Sequence, residues 1–404
     1  MNLKYILVAG IILVGGLLPG CKNDSPTKAP EQKDKSPDIV SAKIIYPGKK
    51  IPGLGDLWLS TWASDDNIYM SWGDGIGPGI FYPIPDGVPN PDSALVISSC
   101  ENDPIIFCKD FCGVFNCDGV TPYAPKVLTQ AGLLKFSGSI NSFTGCDDGS
   151  CVQSIHIPSG IPQFKFNTNP TQRRGDKPSG LLALGGKLYW FGHQLMTNPK
   201  YGYVAVSDDM GKTWNEIPSS PWTDKSNFRI MMVINMGQGY NLNADGFVYF
   251  LGINGELNWP PVSQKVYLAK VETGKILQYK SYKYFRGFNS NGQPLWSVSQ
   301  DSAKALQNLT TIAMGSAIFH HGLGKYLFLA VPNYAEGPAL TLFYSDYPWG
   351  PWRKAQKFDG EVYIAGIISK DTSPNSFYFT AAGGGGIGNT YQLTIAKMEV
   401  TTNN

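Results

Sequence analysis

The sequence has few of the residues on which metal and nucleophile motifs depend. Only four of its 404 residues are histidine, and 16% are charged. Four histidines assemble no zinc ligand set, so we expect no metal site. Neither a G-x-S-x-G elbow nor a Cys–His nucleophile arrangement is present. We therefore expect neither of these nucleophiles, and we expect no cofactor.

The chain also has no basic stripe and only one long apolar run. The formal net charge is +2, and lysine and arginine are scattered, so we expect no nucleic-acid partner. The apolar run covers residues 5–18, follows Lys4 and ends in Leu18-Pro19-Gly20-Cys21. It is shorter than the roughly 20 residues of a membrane span, which argues against the alternative of a plain transmembrane anchor. The pattern is typical of a secretory signal.

The end of this signal resembles the lipobox of bacterial lipoproteins, with Gly20 directly before Cys21. That resemblance implies cleavage before Cys21 and lipidation of its thiol. We expect residues 1–20 to be a lipoprotein signal peptide and residues 21–41 a disordered tether, because their mixed polar composition buries little surface. The protein would then lie in the bacterial cell envelope, anchored by lipid at the outer membrane or cell surface.

Six cysteines remain once Cys21 is set aside, and they cluster in one stretch of the chain. An even number in an exported protein predicts three disulfides, for which 15 pairings exist. A zinc site is the alternative, but the spacings, with His156 alone nearby, fit a zinc motif poorly. The six residues are Cys100, Cys108, Cys112, Cys117, Cys146 and Cys151.

A tight turn followed by a tyrosine-bearing strand occurs five times along the chain. In two copies an aspartate precedes the tyrosine by thirteen residues, as Asp56 precedes Tyr69 and Asp176 precedes Tyr189. A unit that recurs in this way is typical of a radial β array. We predict an all-β fold, a five-bladed β-propeller over residues 42–404 with a disulfide-rich insert in blade one at about residues 76–160. Six blades are the alternative.

The strand pattern also predicts how the ring closes. Residues 42–46 should pair with the C-terminal strand, because closure leaves no long exposed sheet edge. In the third blade the first strand is predicted at residues 236–243. Since neighbouring strands are antiparallel, the starts of the first strands should share one face.

Three carboxylates on this face are the candidate catalytic residues. Asp56 and Asp176 begin adjacent innermost strands, and Glu256 follows a second strand. A glycosidase needs a separated acid and base around a sugar, and this placement could supply them. The alternatives are that the aspartates cap turns or pair with neighbouring basic residues, and that Glu256 is a solvated loop residue.

Further residues on the same face are candidates for substrate binding. Tryptophans could stack on sugar rings, while charged side chains and histidine could bind hydroxyl groups. Core packing is the alternative for Trp58 and Trp72. The Asp-box sequence of residues 207–214 and the pair His320-His321 lie at the far face and are interpreted as structural. The candidate binding residues are Trp58, Trp72, Asp74, Arg174, Lys177, His193 and Trp259.

Several stretches together resemble the bacterial family named domain of unknown function 4185. They are GDLW at residues 55–58, TWASDDNIY at 61–69, WGDG at 72–75, DKPSG at 176–180, VYLAKV at 266–271 and DYPWGPW at 346–352. The relatives of this family include secreted glycoside hydrolases acting on arabinans, with a five-bladed propeller as the expected fold. The resemblance implies carbohydrate chemistry at Asp56 and Asp176. The cysteine-rich insert departs from the family pattern.

Two functions follow as hypotheses. In the first, the protein is a surface-tethered glycoside hydrolase, with Asp56 as general base, Asp176 orienting the substrate or tuning a pKa, and Glu256 as general acid. In the second, it is a non-catalytic propeller that binds carbohydrate or protein. The expected partners are a carbohydrate ligand and, through the lipid anchor, the membrane, and the protein is expected to be a monomer.

Overall fold

The computed structural model describes residues 36–51, 53–78, 129–140, 152–156, 176–195, 197–255, 262–333, 339–361, 364–382 and 393–403. The predicted signal peptide, residues 21–35 of the predicted tether and all seven cysteines lie outside these ranges, so the predictions made for them stay predictions. Within these ranges the search for an apolar helix of membrane-spanning length finds none.

The regular structure of the described residues is mainly β-strand, grouped into one N-terminal strand and five segments. The N-terminal strand is β1 (Ile39–Ile51). Segment one contains β2 (Gly53–Trp62), β3 (Ile68–Pro78), β4 (Thr129–Phe136) and β5 (Val152–His156). Segment two contains β6 (Asp176–Leu184), β7 (Lys187–Gln194), β8 (Gly202–Ser207) and β9 (Asn215–Glu216).

The remaining three segments follow in chain order. Segment three contains β10 (Ile230–Asn235), β11 (Phe247–Ile253), β12 (Gln264–Lys265), β13 (Tyr267–Glu272), β14 (Lys283–Phe288) and β15 (Pro294–Ser297). Segment four contains β16 (Thr310–Thr311), β17 (Ser316–His320), β18 (Lys325–Ala330), β19 (Ala339–Ser345) and β20 (Arg353–Glu361). Segment five contains β21 (Ile364–Ser373), β22 (Ser376–Ala382) and β23 (Leu393–Thr402). Short 3₁₀ turns lie at Gln238–Tyr240, Thr273–Lys275, Tyr279–Ser281 and Gln300–Ser302.

Each segment is an antiparallel sheet in which consecutive long strands are neighbours. Strands β10 and β17 are also paired in parallel, which joins segments three and four into one sheet of nine strands. The short strands β12 and β16 form a separate pair between the same two segments. The fold is therefore all-β, as the sequence predicts.

The first strands of the five segments, which are β2, β6, β10, β17 and β21, contact one another in cyclic order. Glycine permits two of these close approaches. A Cβ on Gly366 of β21 would lie 2.2 Å from the Trp58 carbonyl oxygen, and one on Gly180 of β6 would lie 2.7 Å from that of Met231. Larger side chains at these two positions would push the strands apart.

Buried polar side chains link these first strands, and we call this group the collar. Asn235 is at its centre: its amide nitrogen donates to the carbonyl oxygens of Ser60 (3.0 Å) and Leu181 (3.2 Å), and its oxygen accepts from the Thr61 hydroxyl (3.0 Å). The Thr61 oxygen accepts from the amide of Ala183 at 2.9 Å. These bonds connect β2, β6 and β10.

The other side of the ring is linked in the same way. Ser60 donates its hydroxyl to the carbonyl oxygen of Ile367, and the amide of Ile367 donates to the Ser316 hydroxyl. The Thr380 hydroxyl donates to the carbonyl of Trp58. The collar thus consists of Ser60, Thr61, Asn235, Ser316 and Thr380, and it ties β2 and β17 to segment five.

The repeated tyrosine has a structural role in two of the turns. The hydroxyl of Tyr69 donates to Asp65 Oδ2 at 2.8 Å, and that of Tyr249 donates to Asp245 Oδ2 at 2.5 Å. Each bond spans four residues and closes the turn between a first and a second strand. The rings pack inward, which is why the tyrosine recurs in a pattern that is otherwise variable.

The predicted pairing of the chain ends is confirmed. Strand β1 pairs antiparallel with β23, with Ala42 opposite Val400. Beyond the strands, the amide of Asp38 donates to the Asn403 side chain, and the amide of Asn403 donates to the Asp38 carbonyl.

Two details of the sequence prediction are wrong. The first strand of segment three lies at Ile230–Asn235 rather than at 236–243, where the chain forms turns and a 3₁₀ helix. The predicted insert at 76–160 also contains two ladder strands, because β4 pairs with β3 and β5 pairs with β4. Any insert in segment one is therefore shorter than predicted.

Candidate functional site

The candidate site lies where the first strands begin, and we call this side of the segments the entry edge. Asp56 lies in β2 opposite Gly73 of β3, and its residue is only 2% exposed. The pairing register of β2 and β3 shifts directly after Asp56. Leu59 lies three residues after Asp56, but its partner Ser71 lies only two residues before Gly73. This is a one-residue β-bulge, a device that re-aims a side chain.

The backbone is strained at this bulge. Leu57 has φ of 54°, in the left-handed region that residues with a branched side chain rarely adopt. Such a conformation costs on the order of 1 kcal/mol and persists when the surrounding packing fixes it. Leu57 is itself buried in the largest core cluster. The core therefore holds Asp56 in its orientation.

Asp176 occupies the equivalent position in segment two. It is the first residue of β6, lies opposite Gln194 of β7 and is 1% exposed. A one-residue bulge follows here as well, because Pro178 and Gly180 pair with the consecutive residues Gly192 and Phe191. Asp56 is thus the fourth residue of β2 and Asp176 the first residue of the adjacent strand β6, and each precedes a bulge.

Basic and titratable side chains are buried beside Asp176. Lys177 and His193 lie directly opposite each other on β6 and β7, so their side chains are on the same side of this sheet. Both are buried. The structure thus brings together Lys177 and His193, which the sequence analysis selected separately, whereas Asp176, one residue earlier in β6, projects to the other side of the sheet.

Arg229 is a further residue of the site, and the sequence analysis missed it. It is buried directly before β10, where its Nε donates to the carbonyl oxygen of Asn254 (2.7 Å) and its Nη1 to that of Gln194 (3.0 Å). Gln194 is the register partner of Asp176. The guanidinium therefore connects the backbone beside Asp176 to the end of β11. The sequence analysis missed Arg229 because it placed the first strand of segment three too late in the chain. A single arginine between the apolar residues Phe228 and Ile230 could have indicated it.

The chain leading toward Glu256 is held firmly at the entry edge. The amide of Gly255 donates to Gln264 Oε1, and Gln264 Nε2 donates back to the Gly255 carbonyl, both at 2.8 Å. The Asn254 side chain donates to the carbonyls of Asp224 and Ser226. Glu256 and Trp259 themselves lie outside the described residues, as does Arg174. Asp74 follows Gly73 in β3, next to the partner of Asp56.

The structure corrects the proposed sugar platforms at Trp58 and Trp72. The two residues are 0% and 1% exposed, and both belong to a core cluster with Met70, Leu134 and other apolar side chains. A Cβ on Gly132 would lie 2.1 Å from the Trp72 ring, so the neighbouring strand covers this ring closely. Core packing is the role of both tryptophans.

The motifs at the opposite edge have structural roles. Asp209 of the Asp box accepts hydrogen bonds from the amide and hydroxyl of Thr213 and from the Ser207 hydroxyl, which lower the pKa of its carboxyl. His320 is buried; its Nδ1 accepts from the Leu323 amide and its Nε2 donates to the Ser376 carbonyl. Burial lowers the pKa of His320, so the ring is neutral. A search of the described residues for three or more grouped metal-ligating side chains found no such group.

The fold and the site define an all-β protein whose five antiparallel segments carry buried aspartate, lysine, histidine and arginine side chains at one edge. The chain belongs to the family of domain of unknown function 4185 (DUF4185), whose family model matches residues 136–382. This confirms the resemblance found in the sequence. A comparison with curated proteins gave no match.

Comparison with solved structures found similar chains at low sequence identity. A protein of Bacteroides ovatus ATCC 8483, provisionally described as a hydrolase, superposes with a TM-score of 0.50 at 10% identity, covering 87% of each chain. The α-L-arabinanase of Penicillium chrysogenum, complexed with arabinobiose, gives 0.41 at 12% identity, over 90% of this chain and 99% of that one. The catalytic domain of an α-L-arabinofuranosidase from Coprinopsis cinerea gives 0.41 at 10%, over 90% and 98%.

Proposed function

We propose that the five segments are the blades of a five-bladed β-propeller, and that this protein is a surface-tethered, glycoside hydrolase-like protein acting on a polysaccharide. Arabinan is the first substrate to test, because the family resemblance of the sequence implied it. The lipobox-like Leu18-Pro19-Gly20-Cys21 supports the tether. The bonds of the collar, which link all five first strands, support the number of blades.

One observation carries the functional proposal. Asp56 and Asp176 both lie near the start of a first strand at the entry edge, thirteen residues before the repeat tyrosine, and each is buried and followed by a one-residue bulge. A buried carboxylate is costly unless it is compensated, and a bulge interrupts the ladder. Two adjacent segments that share both features are better explained by a shared function than by folding alone.

In the proposed mechanism Asp56 is the general base, Asp176 orients the substrate, and Glu256 is the general acid. An inverting enzyme holds its acid and base roughly 6.5 to 9.5 Å apart, which leaves room for the attacking water. Lys177 and His193 would bind sugar hydroxyl groups. Arg229 would position the backbone beside Asp176 and the segment leading to Glu256, because its guanidinium donates to the carbonyl oxygens of Gln194 and Asn254.

A second candidate function is a carbohydrate-binding propeller without catalysis. The near-complete burial of Asp56 and Asp176 favours it, because a catalytic carboxylate must contact the sugar on which it acts. Trp58 and Trp72 are core residues and cannot stack on a sugar, and this finding favours neither function.

The test is a hydrolysis assay on arabinan and other plant and bacterial polysaccharides, with product formation measured by reducing ends. We expect Asp56→Asn to lower the rate about 10²- to 10⁴-fold, the range for loss of a general base. We expect Asp176→Asn to lower the rate as well, because the substrate is no longer held in position. The matched control is Asp301→Asn, because Asp301 is an exposed aspartate of the 3₁₀ turn Gln300–Ser302.

The same proteins are applied to a glycan array. If the wild type cleaves nothing and both variants bind as it does, the catalytic proposal is wrong and the binding function is supported. Thermal unfolding of each variant separates loss of chemistry from loss of fold. The tether is tested by Cys21→Ser, which should move the protein from the membrane fraction to the soluble fraction.

A further inference from the structure

Segment three carries a second group of chemically unusual side chains, away from the entry edge. Lys270 of β13 lies directly opposite Tyr249 of β11 on one side and Lys283 of β14 on the other. Side chains directly opposite in an antiparallel sheet are on the same face. Two lysines thus lie side by side, an arrangement that destabilises a sheet through like-charge repulsion.

Aromatic rings surround the Lys270 ammonium. Its Nζ lies 3.9 Å from the ring centroid of Phe247 and 4.3 Å from that of Trp296. Trp296 in turn contacts Trp349 of segment four, with centroids 6.4 Å apart. Tyr347 is stacked on Trp349 at 5.4 Å and is 39% exposed. The rings therefore form a continuous surface from Lys270 to solvent.

Among the described residues no acidic side chain has a carboxylate oxygen within 4.0 Å of the Lys270 or Lys283 ammonium nitrogen. The acidic groups near this face are engaged elsewhere: Asp245 accepts from the Tyr249 hydroxyl, and Glu272 pairs with Lys275 at 2.7 Å. Burial lowers the pKa of Lys270 to about 8; the Asp245 carboxylate opposes this shift, and Lys283 adds to it. Two lysines thus share one face, and the carboxylates of Asp245 and Glu272 act on them from beyond salt-bridge distance.

We propose that Lys270 and Lys283 bind the acid group of an anionic sugar, a carboxylated or sulfated residue of a glycan, whose apolar ring face packs on the adjoining aromatic surface. The two ammonium groups favour an anion, and the rings favour a ligand that also has an apolar face. Both requirements are met by an acidic sugar. The site does not depend on Asp56 or Asp176, so it would remain if the catalytic proposal failed.

The test measures acylation of individual lysines in the full-length protein near pH 8, by peptide mass spectrometry. An anion bound between the lysines stabilises the Lys270 ammonium. If its pKa rises by about one unit from about 8, the reactive fraction at pH 8 falls about fivefold. We expect a galacturonate trimer to slow acylation of Lys270 several-fold, while the exposed Lys280 is unaffected. A sulfated disaccharide, tested in the same way, shows whether a sugar sulfate protects Lys270 as a sugar carboxylate does.

Three controls define the ligand. Neutral arabinotriose and inorganic sulfate at equal concentration should protect Lys270 less than twofold. Lys283→Gln should abolish the protection, whereas the neighbouring Lys280→Gln should leave it intact. The proposal is overturned if neither acidic sugar protects Lys270, if arabinotriose protects equally, or if sulfate alone protects as well as the sugars. Because the protection is measured first on the wild type, misfolding of a variant does not affect the conclusion.

Discussion

Replacing Asn235 by leucine should destabilise the protein strongly, although the side chain is uncharged and remote from the entry edge. The change keeps the approximate volume but removes the donor to the carbonyls of Ser60 and Leu181 and the acceptor of the Thr61 hydroxyl. An unsatisfied buried group costs about 1–3 kcal/mol. The two carbonyls and the hydroxyl each lose a partner. Because each carbonyl has a second lone pair, we use the lower half of this range for each group and expect the free energy of unfolding to fall by about 3 kcal/mol in total.

Urea unfolding monitored by tryptophan fluorescence measures this loss as a shift of the midpoint at constant slope. The control is Asn291→Leu, because Asn291 is exposed in the turn before β15, and it should change stability by less than about 0.5 kcal/mol. Thr61→Ser keeps the hydroxyl and should cost much less than Thr61→Val. A loss below about 1 kcal/mol for Asn235→Leu would refute the role assigned to the collar.

Three further changes give distinct results. Arg229→Lys should lower the free energy of unfolding in urea by about 3 kcal/mol, because two charge-assisted hydrogen bonds to carbonyls are lost. Under the proposed function it should also lower kcat, with a smaller change in KM. Lys325→Met should cost about 3–5 kcal/mol because it removes the partner of Asp346 from a fully buried position; Lys325→Met with Asp346→Leu should recover part of the loss, and no recovery would contradict the ion-pair explanation. The pKa of His320 is lower in the folded protein than the unfolded value of about 6.5, so stability should fall as pH drops below 6.5, and His320→Gln should lose this part of the pH dependence. An unchanged pH profile in that variant would contradict the neutral, buried ring.

The sequence predicted the fold where local chemistry and tertiary structure agree. The turn at residues 185–186 and the apolar strands around it predict strands at residues 177–184 and 187–192, within two residues of the bounds of β6 and β7. Tyr69, Tyr189 and Tyr249 mark second strands because these residues are buried. Strand β1 was predicted because an unpaired outer strand would leave an exposed edge.

The prediction failed where burial removes the alternation of polar and apolar residues. Strand β10 is the uninterrupted sequence IMMVIN, buried throughout, and it shows no period of two. The prediction therefore chose residues 236–243, and with that error Arg229 was assigned to no element. Similarly, the bulges after Asp56 and Asp176 depend on contacts between segments that no local pattern in the sequence reveals.

The pairing of β1 with β23 has a consequence for biosynthesis. The strand made first in this fold finds its partner only when the last strand has been made, because Ala42 pairs with Val400. Until then segment five lacks its outer strand, and β1 keeps an unpaired edge. Completion of the fold is thus delayed until β23 has been made.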